Sequence, residues 1–279
     1  MAAPRRHPRS EAPLLAALTL PALAAVVAFF VLPMIRLVML GAAGPEGLGA
    51  YAAALTTPRY VESLAATILL SAGVTLVTLA IAAASGLFLE RNRFRGRQVL
   101  IAILTLPLAF PGVVIGFMVI MLAGRQGLIG SISAALTGQK IVFAYSAAGL
   151  FMGYVYFSIP RVILTIMAAA EKLDRALEEA ARSLGASNWQ VVRDVVLPAL
   201  RPALIASGAI CFATAMGAFG TAFTLATNID VLAMTIYTEF TLQANFAMAA
   251  ALSIVLGAIT WVALTVARSL TGATVAAAG

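Results

Sequence analysis

Six long apolar runs dominate this sequence and limit what it can fold into. They cover residues 14–36, 64–89, 99–122, 141–167, 203–225 and 246–267. A helix needs about 20 predominantly apolar residues to cross a bilayer, and each run meets that length. The chain is 62% apolar and only 10% charged, and a soluble domain could not bury that much apolar surface in one core. The runs therefore predict an all-α integral membrane protein with about six transmembrane helices.

The first run has two interpretations. Arginines precede it, and residues 22–24 loosely resemble the cleavage site of a secretory signal. The apolar stretch continues through residues 29–32, which is too long for the core of a signal peptide. We interpret it as a retained first helix. A cytoplasmic tail over residues 1–13 then precedes one transmembrane domain over residues 14–279.

Basic residues mark the side of the membrane that faces the cytoplasm. With six spans and the N-terminus inside, 14 of the 18 Lys and Arg residues fall in cytoplasmic segments. The outer segments hold Arg36, Arg59, Arg125 and Lys140. The positive-inside rule predicts that both termini lie in the cytoplasm. The arginine-rich segment 91–97 also fits a patch for lipid headgroups or nucleic acid, although a topology anchor is the plainer interpretation.

The connection over about 168–202 differs from the others because it mixes charges of both signs with helix signals. Asp174 is a candidate N-cap, Gly185 a candidate helix stop, and Ser187 or Asn188 can cap a second short helix. Apolar residues recur on one face of the first helix: Leu173, Leu177, Ala180, Ala181 and Leu184. Leu197-Pro198 is expected to close the unit before the fifth span. The residues alone leave two roles open, namely packing under the chain's own bundle and docking of a partner.

A motif in this loop carries a resemblance to a known family. Glu179-Ala180-Ala181, three residues, Gly185, nine residues, Val195, one residue and Leu197-Pro198 follow the order and spacing of the EAA motif of binding-protein-dependent ABC transporter permeases. Val195 stands where isoleucine is usual. Segments 105–107, 111–114 and 217–227 also resemble the polyamine, iron(III) and phosphonate group of these permeases. The resemblance covers about residues 60–268.

The resemblance implies a multi-pass protein of a bacterial inner (plasma) membrane with a type I ABC importer permease fold, and it implies a role for the loop. Residues 186–193 would form a coupling helix that docks on a cytoplasmic ATPase, with Trp189 as its buried anchor. Glu179 would contact the ATPase or brace the turn, and Gly185 would let the backbone reverse. The residues assigned to ATPase coupling are Glu179, Ala180, Ala181, Gly185, Ala186, Ser187, Trp189, Leu197 and Pro198.

The resemblance also implies partners, and it indicates that the chain is not itself an enzyme. Expected partners are two ATP-binding subunits, an extracytoplasmic solute-binding protein and a second permease subunit, with a different chain favoured over self-pairing. The sequence lacks a Gly-x-x-x-x-Gly-Lys-Ser/Thr loop, and its only lysines are Lys140 and Lys172. ATP and Mg²⁺ are therefore expected on the partner ATPase, with no cofactor, metal or nucleic acid on this chain.

Two other classes and the substrate stay open. An ion-coupled secondary transporter or channel is the main alternative, although such proteins usually keep ionisable groups inside their spans, which are nearly free of them here. A membrane enzyme has less support, because no nucleophile–base set is visible. The connection between the last two spans offers acidic and amide side chains: Asn228, Asp230, Glu239, Gln243 and Asn245. It is read as a solvated loop or as a negative rim for a cation. Polyamine, iron(III), phosphonate, thiamine and sulfur oxyanions remain candidate substrates, and no substrate-binding residue is assigned.

Overall fold

The computed structural model describes residues 12–45, 47–225 and 230–271, which are helical and contain no strand. In chain order the helices are α1 (Ala12–Val26), α2 (Leu32–Gly41), α3 (Gly49–Thr56), α4 (Pro58–Arg91), α5 (Arg97–Thr105), α6 (Gly112–Ala123), α7 (Leu128–Thr137), α8 (Ala147–Glu171), α9 (Arg175–Ser183), α10 (Asn188–Val191), α11 (Leu197–Met216), α12 (Gly220–Leu225), α13 (Leu232–Tyr237) and α14 (Phe246–Thr271). Wider π-helical turns occupy Val27–Val31, Val192–Val196 and Thr238–Leu242, and a 3-10 turn occupies Leu106–Ala109.

Six stretches of the described residues are long and apolar enough to cross a membrane, as the sequence predicts. We call them spans 1 to 6: Ala17–Gly41, Pro58–Arg91, Gly112–Thr137, Ala147–Glu171, Asn188–Met216 and Phe246–Thr271. Their order confirms an all-α architecture of six membrane-crossing stretches. The third and fifth have boundaries that differ from those predicted.

The predicted third span, 99–122, is broken in its middle. The chain leaves the helix after the 3-10 turn, and Phe110 has an extended backbone with φ −105° and ψ 137°. Proline at position 111 explains the break, because it pushes the residue before it into extended conformations. The crossing stretch therefore begins at Gly112, and α5 with its 3-10 turn forms a shorter apolar segment, Arg97–Ala109.

The predicted fifth span, 203–225, begins and ends too late. Helical structure starts at Asn188 and continues to Met216. The expectation that Leu197-Pro198 closes the loop before this span is wrong. In the π-helical turn the amide of Leu197 bonds to the carbonyl of Val192. Pro198, which has no amide hydrogen, then sits in the first turn of α11, where a helix tolerates it.

Spans 2 and 4 pack closely along the centre of the bundle. The buried face of α4 consists mostly of small residues: Ser63, Thr67, Ser71, Thr78, Ala82 and Gly86. A Cβ atom on Gly86 would lie 3.1 Å from Ile166 Cγ2 and 3.2 Å from the carbonyl of Ile163. Small residues let two helices approach closely, which is how membrane helices gain packing energy. This seam runs through the main core cluster of the molecule.

The short helix α12 packs against α6 at glycines. Thr221 donates its hydroxyl to the carbonyl of Gly112 over 2.9 Å. A Cβ atom on Gly116 would overlap the side chain of Thr224. The segment after the end of span 5 is therefore fixed on the start of span 3.

The connection between spans 5 and 6 is not a solvated acidic rim. Glu239 is 1% exposed, and its Oε1 accepts from Arg59 Nη1 at 3.4 Å and from the Tyr60 hydroxyl at 3.1 Å. Among the described members of the predicted acidic and amide set, Asp230 is the one exposed carboxylate, while Gln243 and Asn245 are also exposed; Asn228 lies outside the described residues. Glu239 therefore ties the outer start of span 2 to the turn before span 6.

The first part of span 1 is left uncovered by the described residues of its own chain. Its most apolar window is 0% buried, and large side chains such as Phe29 and Phe30 are exposed along it. Only its second part, α2, packs on α14. Lipid or a second protein must therefore cover this helix.

Candidate functional site

The loop between spans 4 and 5 is a folded unit that begins with a capped helix. Asp174 is the N-cap of α9, and its Oδ1 accepts from the amide of Ala176 at 2.9 Å. The acidic first turn and basic last turn of α9 suit the helix dipole. The predicted cap and helix are confirmed.

A glycine turn ends α9. Gly185 has a φ of +87°, in the left-handed region where a residue with a Cβ is strained. The amide of Gly185 bonds to the Arg182 carbonyl at 2.9 Å, and the amide of Ala186 bonds to the Ala181 carbonyl at 3.1 Å. These are the two hydrogen bonds of a Schellman motif. The turn therefore has one defined geometry, as the sequence predicts for this glycine.

The helix that follows starts with a capping box. The Ser187 hydroxyl accepts from the Gln190 amide at 3.4 Å, and Gln190 Oε1 accepts from the Ser187 amide at 2.7 Å. Of the two predicted caps, Ser187 is the one used. Because α10 continues through the π-helical turn into α11, this cap starts a helical run that ends only at Met216. The loop is thus joined to span 5 without a hinge.

The loop presents large apolar side chains to its surroundings. Leu177 is 60% exposed, Leu184 is 89% exposed and Trp189 is 67% exposed. Glu179 and Ala180 are exposed beside them. On the predicted cytoplasmic side of a membrane protein, large exposed apolar groups indicate a surface that a partner covers.

A different set of residues holds the loop against the bundle. Val191, Val196 and Leu200 are buried with Ala170, and Leu173, Ala181 and Ala186 pack on this cluster. The predicted single apolar face of α9 is therefore divided, because Leu173 and Ala181 point to the bundle while Leu177, Ala180 and Leu184 do not. Val195 is half-buried, and Leu197 and Pro198 are exposed on the helix.

The sequence interpretation missed the ion pair that joins this loop to span 2. Glu178 is 6% exposed, and its carboxylate contacts Arg91 Nη2 and lies 3.6 Å from Arg182 Nη2. From the sequence alone, Glu178 is only an acidic residue in the first turn of a helix, where it suits the helix dipole. Arg91 is only one of the basic residues that predict which side faces the cytoplasm. No spacing rule relates residues 87 positions apart, so only the fold could bring them together.

Six apolar membrane-crossing stretches with a capped, partly apolar connecting loop define a multi-pass membrane protein. Comparison with known sequences gives the family. The chain belongs to the binding-protein-dependent transport system inner membrane components, whose sequence profile matches residues 77–276. This family places it among multi-pass inner-membrane permeases, which are transport components rather than enzymes.

Relatives and solved structures agree with this family. The chain is 31% identical over 212 residues to a chloroplastic sulfate permease of Chlamydomonas reinhardtii, covering 74% of this chain and 57% of that protein. It is 35% identical over 166 residues to the molybdenum transport system permease of Escherichia coli, covering 58% and 72%. The aligned part thus spans little more than half of the chloroplastic relative.

The fold also matches that of a solved transporter. A chain of a bacterial alginate ABC transporter, in complex with an alginate-bound periplasmic protein, superposes with a TM-score of 0.81 at 20% identity, covering 93% of this chain and 95% of that one. This likeness confirms the predicted permease fold. The sulfate and molybdenum relatives do not support the narrower resemblance to polyamine, iron(III) and phosphonate permeases, and the family does not favour an ion-coupled transporter.

Proposed function

We propose that this chain is the permease of an ATP-driven importer that takes up a small oxyanion of the sulfate or molybdate type. An extracytoplasmic binding protein delivers the anion, and two ATP-binding subunits in the cytoplasm hold ATP and Mg²⁺. The observation that carries the proposal is the capped loop between spans 4 and 5 with its exposed apolar side chains, in a chain that belongs to a permease family.

The ATPase docks on this loop through Leu177, Leu184 and Trp189. Covering a large apolar side chain stabilises a complex by about 1.5–3 kcal/mol relative to leaving it in water. Tryptophan in a fully covered pocket is a frequent anchor of protein interfaces. Glu179 lies exposed beside them and is placed to meet a basic group of the ATPase.

A second bundle completes the pore. The most apolar window of span 1 is not buried by the described residues of its own chain, and a partner permease, either another copy or a similar chain, packs against it. Two differently tagged copies of this chain, expressed together, test the choice. Co-purification of both tags indicates a pair of identical subunits, and its absence indicates a different partner.

The proposed substrate class rests on the relatives, whose names specify sulfate and molybdenum. It replaces the cation hypothesis, because Glu239, one of the two acids of the proposed negative rim, is buried and paired with Arg59. Uptake of radiolabelled sulfate and of molybdate into cells that carry the chain with its neighbouring genes tests the class. Uptake of a polyamine with no oxyanion uptake would exclude it.

The docking role is tested by co-purification of the ATPase from detergent. Leu184→Ala and Trp189→Ala are each expected to release the ATPase, while Leu136→Ala is not. Leu136 is a matched control because it is 79% exposed and lies in α7 on the predicted outer side. Retention of the ATPase by both loop variants would show that the loop is not its docking site.

A further inference from the structure

Glu178 stands out because it is a buried carboxylate on a helix whose other charged residues are exposed. Its Oε1 contacts Arg91, the last residue of α4, and its Oε2 lies 3.6 Å from Arg182 on its own helix. Arg182 is half-exposed, whereas Arg91 is about three-quarters covered. Arg91, which belongs to span 2, is therefore better covered than Arg182, which lies on the same helix as Glu178.

This ion pair is a directional contact between the loop and span 2. A buried carboxylate that loses its counter-charge is strongly destabilised, so Glu178 and Arg91 stay together when either segment moves. The apolar cluster under the loop also touches span 2, through Leu87, but apolar contacts carry no preferred direction and allow sliding.

The end of span 2 is in turn fastened to the next helix. Arg97, the first residue of α5, donates from Nε to the carbonyl of Leu89 at 2.6 Å and from Nη2 to Glu90 at 3.2 Å. Its guanidinium is largely covered. The short turn between α4 and α5 is thus held at both ends by arginine.

We propose that Glu178 is a positioning residue that fastens the docking loop to α4 through Arg91. Displacement of the loop by the ATPase then moves α4 and α5 together with span 5. Span 5 follows because it continues from the loop without a hinge. The ion pair adds a directional link from the loop to the end of α4, whose remaining length packs on α8 and α11. This inference rests on the proposed docking function.

The first test measures coupling in the purified complex with its ATPase, reconstituted in liposomes with the binding protein. Glu178→Gln and Arg91→Gln are each expected to leave ATP hydrolysis in place and to reduce oxyanion uptake per ATP hydrolysed at least tenfold. The double variant is expected to be no worse than either single one, because residues that act as a pair are not additive. Glu171→Gln and Arg95→Gln are matched controls, since both residues are exposed on the same side.

The ratio of uptake to hydrolysis separates coupling from folding. If the pair only stabilises the loop, uptake and hydrolysis fall together with the amount of assembled complex, their ratio stays at the wild-type value, and the proposal is overturned. The same conclusion follows if Glu178→Gln and Arg91→Gln behave like the two controls. A wild-type chain that neither holds an ATPase nor transports would instead overturn the proposed function itself.

A cross-linking experiment tests whether the contact between Glu178 and Arg91 persists during transport. Cysteines replace Arg91 and Glu178 in a chain whose native Cys211, which is buried, is changed to serine. A bifunctional thiol reagent as long as the two original side chains joins them. Because the connection is proposed to be rigid, the cross-linked transporter is expected to restore coupling to at least half of the wild-type ratio. Loss of uptake upon cross-linking would mean that the loop must move relative to α4, which contradicts the proposal.

Discussion

Gly185 allows the role of the loop geometry to be separated from the stability of the fold. It adopts a φ of +87°, and Gly96, at the start of α5, adopts a nearly identical φ of +88°. A Cβ atom at either position would meet nothing within 4 Å. Alanine at either position therefore changes the backbone energy without a steric clash, and both glycines lie on the predicted cytoplasmic side.

The cost follows from the backbone. The left-handed conformation costs a residue with a Cβ roughly 1–2 kcal/mol. Alanine also adds about 0.4–1 kcal/mol to the free energy of unfolding, because it lowers the conformational entropy of the unfolded chain. The net loss is therefore about 1 kcal/mol for each variant, equivalent to about a fivefold change in an equilibrium constant.

Gly185→Ala and Gly96→Ala are expected to lower the thermal stability in detergent by the same small amount. Only Gly185→Ala is expected to weaken ATPase binding, by up to about fivefold, because a smaller fraction of its loops holds the docking geometry. Tryptophan fluorescence during heating measures the first quantity, and titration with purified ATPase subunit measures the second. Wild-type affinity in Gly185→Ala, or an equal loss in Gly96→Ala, would refute the reasoning.

Three further predictions concern the bundle. Gly116→Ala is expected to destabilise the protein by about 1–3 kcal/mol through overpacking, whereas Gly257→Ala, where a Cβ meets nothing, is expected to be neutral or stabilising; equal melting temperatures would contradict the close packing of α6 and α12. Glu239→Gln is expected to lower the melting temperature by weakening its buried hydrogen bonds, at a cost of about 1–3 kcal/mol, while the exposed Asp230→Asn is not; a shift in the opposite order would contradict the burial. Ala244 has a φ of +51°, so Ala244→Gly is expected to raise the free energy of unfolding by up to about 1 kcal/mol, as measured by denaturant titration, and a decrease would show that no strain is stored there.

Apolar run length was sufficient to predict the number of spans, because six runs of this length with almost no charge are too apolar for a soluble domain to bury. The helix breaks were harder to place. Pro111 breaks a helix, but Pro160 lies inside α8 and Pro198 starts α11. The difference depends on which neighbouring groups form hydrogen bonds with the backbone carbonyls that proline leaves unpaired, and those neighbours are set by the fold.

The caps and the turn of the loop were predicted correctly from local sequence signals, whereas ion pairs between residues distant in sequence were not predicted. Asp174, Gly185 and Ser187 occupy the predicted caps and turn because each acts on backbone groups within a few residues of itself. The burial of Glu178 and of Glu239 depends on Arg91 and on Arg59, which are far away in sequence. Periodicity cannot detect such a pairing, so neither burial was predicted from the sequence.

The exposed leucines and tryptophan of the loop also have a consequence for the protein before it is assembled. Leu177, Leu184 and Trp189 are exposed in the chain on its own, and under the proposed function they stay exposed to the cytosol until an ATPase docks. Chaperones and proteases act continuously on incompletely folded chains, and a change of about 1–2 kcal/mol in stability can alter abundance several-fold. The cellular level of this subunit should therefore follow the supply of its ATPase, so that unpaired copies are degraded.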